Sequence, residues 1–239
     1  MDHPVSDARI CTIGHSNRSI DEFIALLRAN EIACVLDIRT VPKSRHNPQF
    51  GQDQLPQSLA QAGIGYRYIA GLGGLRRARK DSLLNAGWRN MSFRGYADYM
   101  QTEEFAQNVE LVVELAQRER VALMCAEAVP WRCHRSLVAD ALLVRGVPVD
   151  EIIGPQPRRP HKLTRFALVE GLKITYPPEE ATGNDTAEVL GDTSDEAPEY
   201  AAASTAASPG EPAQADWIGA TPPVRPKAPR PSSTRRSGR

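Results

Sequence analysis

The residues best suited to chemistry lie in VALMCAEAVPWRCHRSLVADALLVRG, residues 121–146. An apolar run ends at Cys125; Glu127, Arg132, Cys133, His134 and Arg135 follow before a helical pattern begins. A thiol can act as a nucleophile once ionised, a carboxylate and an imidazole can exchange protons, and guanidinium groups hold anions. Glu127 and His134 are the candidate acid/base pair, and Cys125 would line the pocket or serve as nucleophile. Arg135 stands where a helix opens with free N–H groups, a position that suits a phosphate or carboxylate. Glu127 would equally serve to orient Arg135 or His134, or as the acid of a structural ion pair.

Two familiar arrangements are close to this loop and differ from it. Thiol phosphatases and rhodanese-type sulfur carriers also place a Cys at a strand end, then a loop, then a helix start. Here Arg132 follows Cys125 after six intervening residues, one more than such loops use; the loop has no glycine, and Pro130 removes a donor. Zinc is the other alternative, with Cys125, Cys133, His134 and Glu127 as ligands. Structural zinc takes closely spaced ligand pairs. Adjacent Cys133 and His134 at a helix start should point in different directions, so no metal is expected. Cys11 and Cys34 read as small core residues.

The groups that follow other apolar runs are also polar. GHSNRS supplies His15, Ser16 and Asn17; the next loop supplies Asp37, Arg39, Lys43 and Arg45; a later one carries Gly71, Gly73 and Gly74 with Arg76, Arg77 and Arg79. Asp37 sits between Leu36 and Ile38 and needs a partner if it is buried, with Arg39 or Arg135 the natural choice. WRNMSFRGYADYM, residues 88–100, interleaves aromatics with arginines. Arg94 and Tyr96 read as a clamp for a base and its phosphate, whereas Phe93 and Tyr99 read as core packing. His15, Ser16, Asn17, Asp37, Arg39, Arg45, Arg94, Tyr96 and Arg135 are therefore the expected ligand-binding set.

The elements that must position these groups follow from periodicity. Strands are expected at 10–14, 34–38, 66–74 (a strand running into a glycine turn), 121–125 and 149–154, and helices at 19–30, 53–63, 94–100, 102–119 and 136–146. Ser19 with Glu22 forms a capping box, and Thr102 caps the longest helix. Strands alternating with helices imply an α/β fold, a three-layer sandwich around a mainly parallel sheet of about five strands. In such sheets ligands bind beyond the carboxyl ends of the strands, where every polar loop named above lies. Residues 165–178 suit a hairpin turning at Glu170–Gly171, or a short helix followed by a strand.

One domain is expected over residues 8–178, with a disordered tail at 179–239. Residues 179–216 hold ten acidic and no basic residues, and 217–239 hold six basic and no acidic ones. Residues 1–178 then carry 23 basic against 19 acidic residues, a small excess that selects no partner. The start shows no signal-peptide pattern, no apolar run is long enough for a membrane span, and the cysteine placement suits reduced thiols, so a cytoplasmic protein without a membrane role is expected.

TIGHSNRSIDEFIALL, VLDIRTVPKSRHNPQF, YRYIAGLGGLR, NAGWRNMSFRGYADYM and LMCAEAVPWRCHRSLVADAL together resemble the domain of unknown function 488 family of bacteria and archaea. The resemblance runs from about Ile10 to Pro178 and implies a single compact α/β domain with these motifs as its polar features. It implies no reaction. No P-loop, G-x-G-x-x-G, H-E-x-x-H or G-x-S-x-G is present, so no nicotinamide enzyme, ATPase or serine hydrolase, and no cofactor, is expected. The expectation is an enzyme acting on a small phosphate- or nucleotide-bearing ligand, or on nucleic acid. The alternatives are a non-catalytic nucleic-acid-binding module, helped by the basic tail, and a thiol-based sulfur or redox protein using Cys125. Oligomeric state is left open.

Overall fold

The computed structural model describes residues 10–79 and 83–178; the expected tail at 179–239 lies outside them. The elements in chain order are β1 (Ile10–Gly14), α1 (Ile20–Ala29), β2 (Cys34–Asp37), α2 (Leu55–Gln61), β3 (Gly65–Tyr68), α3 (Met91–Tyr99), α4 (Glu103–Arg118), β4 (Val121–Cys125), α5 (Arg135–Val144), β5 (Val149–Ile152), β6 (Arg159–Pro160), β7 (Leu168–Glu170) and β8 (Lys173–Thr175). Six strands form one sheet in the order β3-β2-β4-β1-β5-β6. The first five pair in parallel, and β6 adds an antiparallel edge.

Local chemistry accounts for the helix starts. The Ser19 hydroxyl accepts from the Glu22 N–H while the Glu22 carboxylate accepts from the Ser19 N–H, which closes the capping box of α1. The Thr102 hydroxyl accepts from the Phe105 N–H at the start of α4. Pro56 sits in the first turn of α2, where its missing donor costs nothing. The third strand runs into the turn that its glycines suggest. It ends at Tyr68, and the chain turns through Ala70–Leu72, where the Tyr99 and Tyr96 hydroxyls donate to the Gly71 and Leu72 carbonyls. The segment after β6 resolves to the hairpin reading: β7 and β8 pair antiparallel, and Gly171 holds the turn at φ +60°.

Burial divides the core in two across the sheet. Cys11, Ile13, Val35, Ala122 and Met124 face α1 and α2, where Phe23, Leu26, Leu27, Leu55 and Leu59 pack on them. Ile10, Cys34, Leu36, Leu123 and Cys125 face the opposite layer of α3, α4 and α5. Each large apolar side chain so buried contributes about 1.5–3 kcal/mol. The result is the three-layer α/β arrangement, with its central strands buried on both faces.

This topology decides where a ligand can sit. β1 and β4 are neighbours, yet the chain leaves β1 toward α1 on one face and leaves β4 toward α5 on the other. Their connections part at the carboxyl edge and open a crevice between them, the usual ligand position in a parallel sheet.

Candidate active site

The crevice is a cleft of about 410 Å³, lined by the loops that follow β1, β2 and β4 and by Gly74 and Leu75. That volume suits a small organic ligand. Two glycines make the close approaches that shape it. A Cβ on Gly14 would lie 1.7 Å from the Glu127 carbonyl oxygen, so only glycine lets the β4–α5 loop cross the end of β1. A Cβ on Gly74 would lie 2.4 Å from Nδ1 of His134, so only glycine leaves room for that imidazole.

At the floor of the cleft three side chains converge. Cys125 ends β4, Cys133 precedes α5, and His134 caps it. His134 donates from Nε2 to the Ile38 carbonyl at 3.0 Å, which leaves Nδ1 as an acceptor. Nδ1 stands 3.8 Å from the Cys125 sulfur and 3.7 Å from the Cys133 sulfur. The Tyr96 ring packs against the imidazole with centroids 4.9 Å apart. The expectation that Cys133 and His134 diverge is not met. Cys133 has extended backbone (φ −134°, ψ 141°) and His134 is helical (φ −57°, ψ −17°), so the helix rotation between successive side chains does not separate them.

The two thiols are not alike. The hydrogen bond with Cys133 and burial together push the Cys125 thiol up. Cys133 is pulled down to about 7 by that same hydrogen bond, against burial, with further help from the Arg135 guanidinium. If one sulfur of the pair carries charge, it is that of Cys133.

Several expected ligand-binding residues hold the protein to itself. Asp37 is fully buried; it accepts from Arg39 Nε at 2.9 Å and Nη2 at 2.6 Å, and from the Tyr66 hydroxyl at 2.8 Å. It does not line the cleft. Arg39 does, but it also donates to the Phe50 carbonyl and to Nε2 of His15. His15 stacks on Phe50 and donates from Nδ1 to the Ser16 carbonyl; burial lowers its pKa to about 4, so it is a neutral wall and not a cation for an anion. Arg135 is 1% exposed, and its two terminal nitrogens donate to the Glu127 and Ala128 carbonyls at 2.5 and 2.8 Å. It braces the loop through the Glu127 backbone; the Glu127 carboxylate is not its partner.

The remaining expected residues scatter. The Ser16 N–H donates to the Ala126 carbonyl, and its hydroxyl donates to the exposed Asn17; neither residue lines the cleft. Arg45 is exposed outside the lining, and Arg94 is half-buried outside it. Tyr96 is in the core with its hydroxyl on the Leu72 carbonyl, so it supports His134 and cannot stack on a base. Glu127, Lys43 and Arg132 line the cleft and are exposed, and the half-buried Ser44 lines it too. Cys133, Lys43 and Arg132 were absent from the expected set. The signal for Cys133 was its place beside His134, where an extended residue meets a helix start.

The model of the family described as Domain of unknown function DUF488 matches residues 19–142. The chain belongs to this family. The match takes in most of the cleft, from the loop after β2 to Cys133 and His134, while β1, His15 and everything from β5 onward lie outside it. No curated protein and no solved structure matches the DUF488 chain. No helix among the described residues is long and apolar enough to cross a membrane.

Proposed function

We propose that this protein is an enzyme that acts on a small anionic ligand, with phosphate-bearing molecules as the class, in the cleft at the carboxyl edge of the sheet. One observation carries the reading: the Cys125, Cys133 and His134 cluster forms the floor of a ligand-sized cleft at the topological switch point. Reactive groups enclosed in such a cleft suit catalysis better than recognition of a long polymer. Lys43 and Arg132 are the cations left to meet an anion, because Arg39 is paired with Asp37 and Arg135 is held by the loop. The Glu127 carboxylate makes no hydrogen bond or ion pair within the described residues and serves as the acid/base group at the mouth.

The test is a thermal-shift screen of the full chain against nucleotides, nucleosides, phosphosugars and short DNA and RNA, with Lys43→Ala/Arg132→Ala as the control. Binding to the folded state alone raises the melting temperature. A phosphate-bearing small molecule should raise it, and the double variant should lose the shift. A shift with nucleic acid alone, fading steeply with salt, replaces this reading with a nucleic-acid-binding module. No shift at all removes the ligand class. Once a turnover assay follows from the screen, Glu127→Gln should lower kcat at least about 100-fold, the usual contribution of a general acid or base, with the melting temperature unchanged.

A further inference from the structure

We propose that Cys125, Cys133 and His134 hold a zinc-class divalent cation at the floor of the cleft, with a fourth coordination position open to the ligand. This deepens the reading of the cleft as a ligand site and rests on it. The three donor atoms all lie within 4.8 Å of one another. In a tetrahedral zinc site with Zn–S near 2.3 Å and Zn–N near 2.0–2.1 Å, sulfur and nitrogen stand about 3.6 Å apart. The observed separations from Nδ1 are 3.8 and 3.7 Å, so a small contraction around an ion brings both nitrogen–sulfur pairs to that spacing.

The surroundings fit as well as the distances. The imidazole offers its lone pair to the two sulfurs because its other nitrogen is committed to the Ile38 carbonyl, the outer bond that orients metal-bound histidines. Thiolate and imidazole ligands select zinc-class ions over magnesium or calcium. Both cysteines are buried while His134 is only partly so, and all three line the cleft, so the open side of the set faces the ligand and not the core. Three protein ligands with one open position describe a catalytic site, whereas structural zinc sites are closed by four. Both cysteines would bind as thiolates, releasing to solvent whatever thiol protons they still carry, and the resulting centre, two thiolates with one dication, is neutral. The bound ion would then accept an oxygen of the anionic ligand held by Lys43 and Arg132.

The experiment uses the full chain stripped with a chelator and titrated with cobalt(II). The result expected is one equivalent per chain, with sulfur-to-cobalt charge-transfer absorption and the intense visible bands of tetrahedral cobalt, both lost on adding zinc. Cys133→Ser and His134→Ala should each weaken cobalt binding at least about 100-fold, beyond the range of outer-shell changes. Should the variants fail to fold, alkylation of the wild-type chain mapped by mass spectrometry decides: zinc should protect Cys125 and Cys133. The inference is overturned if the wild type shows no thiolate–cobalt spectrum, or if zinc leaves both cysteines equally open to alkylation. A protein that takes cobalt but shifts with no anionic ligand retains the metal site and loses the ligand class. One that shifts with a ligand but takes no metal retains the cleft and sinks this inference.

Discussion

At the scale of single residues, the same side-chain types divide into those left free to meet a ligand and those that hold the cleft together. Asp37 and Arg39 make a bidentate pair whose side chains are 0% and 5% exposed. Removing one partner of such a pair leaves a buried charge unmatched, at a cost of about 3–5 kcal/mol. Asp37→Asn should therefore lower stability in chemical denaturation by that amount, while Asp37→Leu/Arg39→Met should lose much less. An Asp37→Asn protein as stable as wild type would show that the pair does not brace the β2 loop. Glu127 is the contrasting carboxylate, exposed and unpaired, which is why its removal should be read in kcat and not in the melting temperature.

At the scale of elements, the site depends on how closely a loop can approach a helix. Gly74→Ala would place a Cβ within 2.4 Å of a ring fixed by Ile38 on one nitrogen and by Tyr96 on its face. The ring has to move, and cobalt affinity should drop about tenfold or more, as for other changes that misorient a metal ligand, with far-ultraviolet circular dichroism unchanged. An unaltered affinity would mean that His134 is not held where the structure puts it. A second network fastens β6 and the hairpin to α5. His161 bridges Asp140 at 2.9 Å and Glu151 at 2.8 Å, and Asp140 also accepts from the Thr164 and Tyr176 hydroxyls at 2.7 and 2.8 Å. Burial pulls the His161 pKa down, but the two carboxylates outweigh it and hold it at about 9. A histidine raised above its unfolded value near 6.5 gives its full stabilisation, here about 3 kcal/mol, below that pH and loses it as pH rises through about 9. Unfolding free energy should fall from pH 6.5 to 9.5, and His161→Gln should flatten that slope. A wild-type profile that is level over this range would contradict the charged bridge.

At the scale of the whole molecule, the family match ends at residue 142 but the fold does not. β5 covers the free edge of β1, and Ile174 and Tyr176 are buried against the layer that contains α5. A chain ending at residue 142 should lose cooperative unfolding in denaturant, because the β1 edge and that core are uncovered together. A cooperative transition from that fragment would show that the matched segment is a folding unit by itself.

How much of this was legible in the sequence varies with the range of the interaction. The α1 capping box, the alternation of strands and helices and the two-faced burial of β1, β2 and β4 follow from periods and spacings of a few residues, which local sterics enforce, whereas residues 165–178 suited two readings until the structure showed the hairpin. The gathering of polar groups at the carboxyl edge, with residues of the 121–135 segment along the cleft, was legible for the same reason. Side-chain direction was not. Arg135, Asp37 and His15 have the residue types of ligands, and only the packed structure shows that the Arg135 terminal nitrogens, the Asp37 carboxylate and the His15 Nδ1 are engaged by the protein's own groups. Asp140, a lone acid in an apolar helix run, was a signal that needed a partner twenty-one residues away to be understood. The convergence of Cys125, Cys133 and His134 likewise depends on where β4 ends, how the loop crosses Gly14 and where α5 begins. The sequence determined which elements form and at which sheet edge polar groups gather. Tertiary structure alone decided which of those groups face the cleft, because that depends on close approaches between segments far apart in the chain.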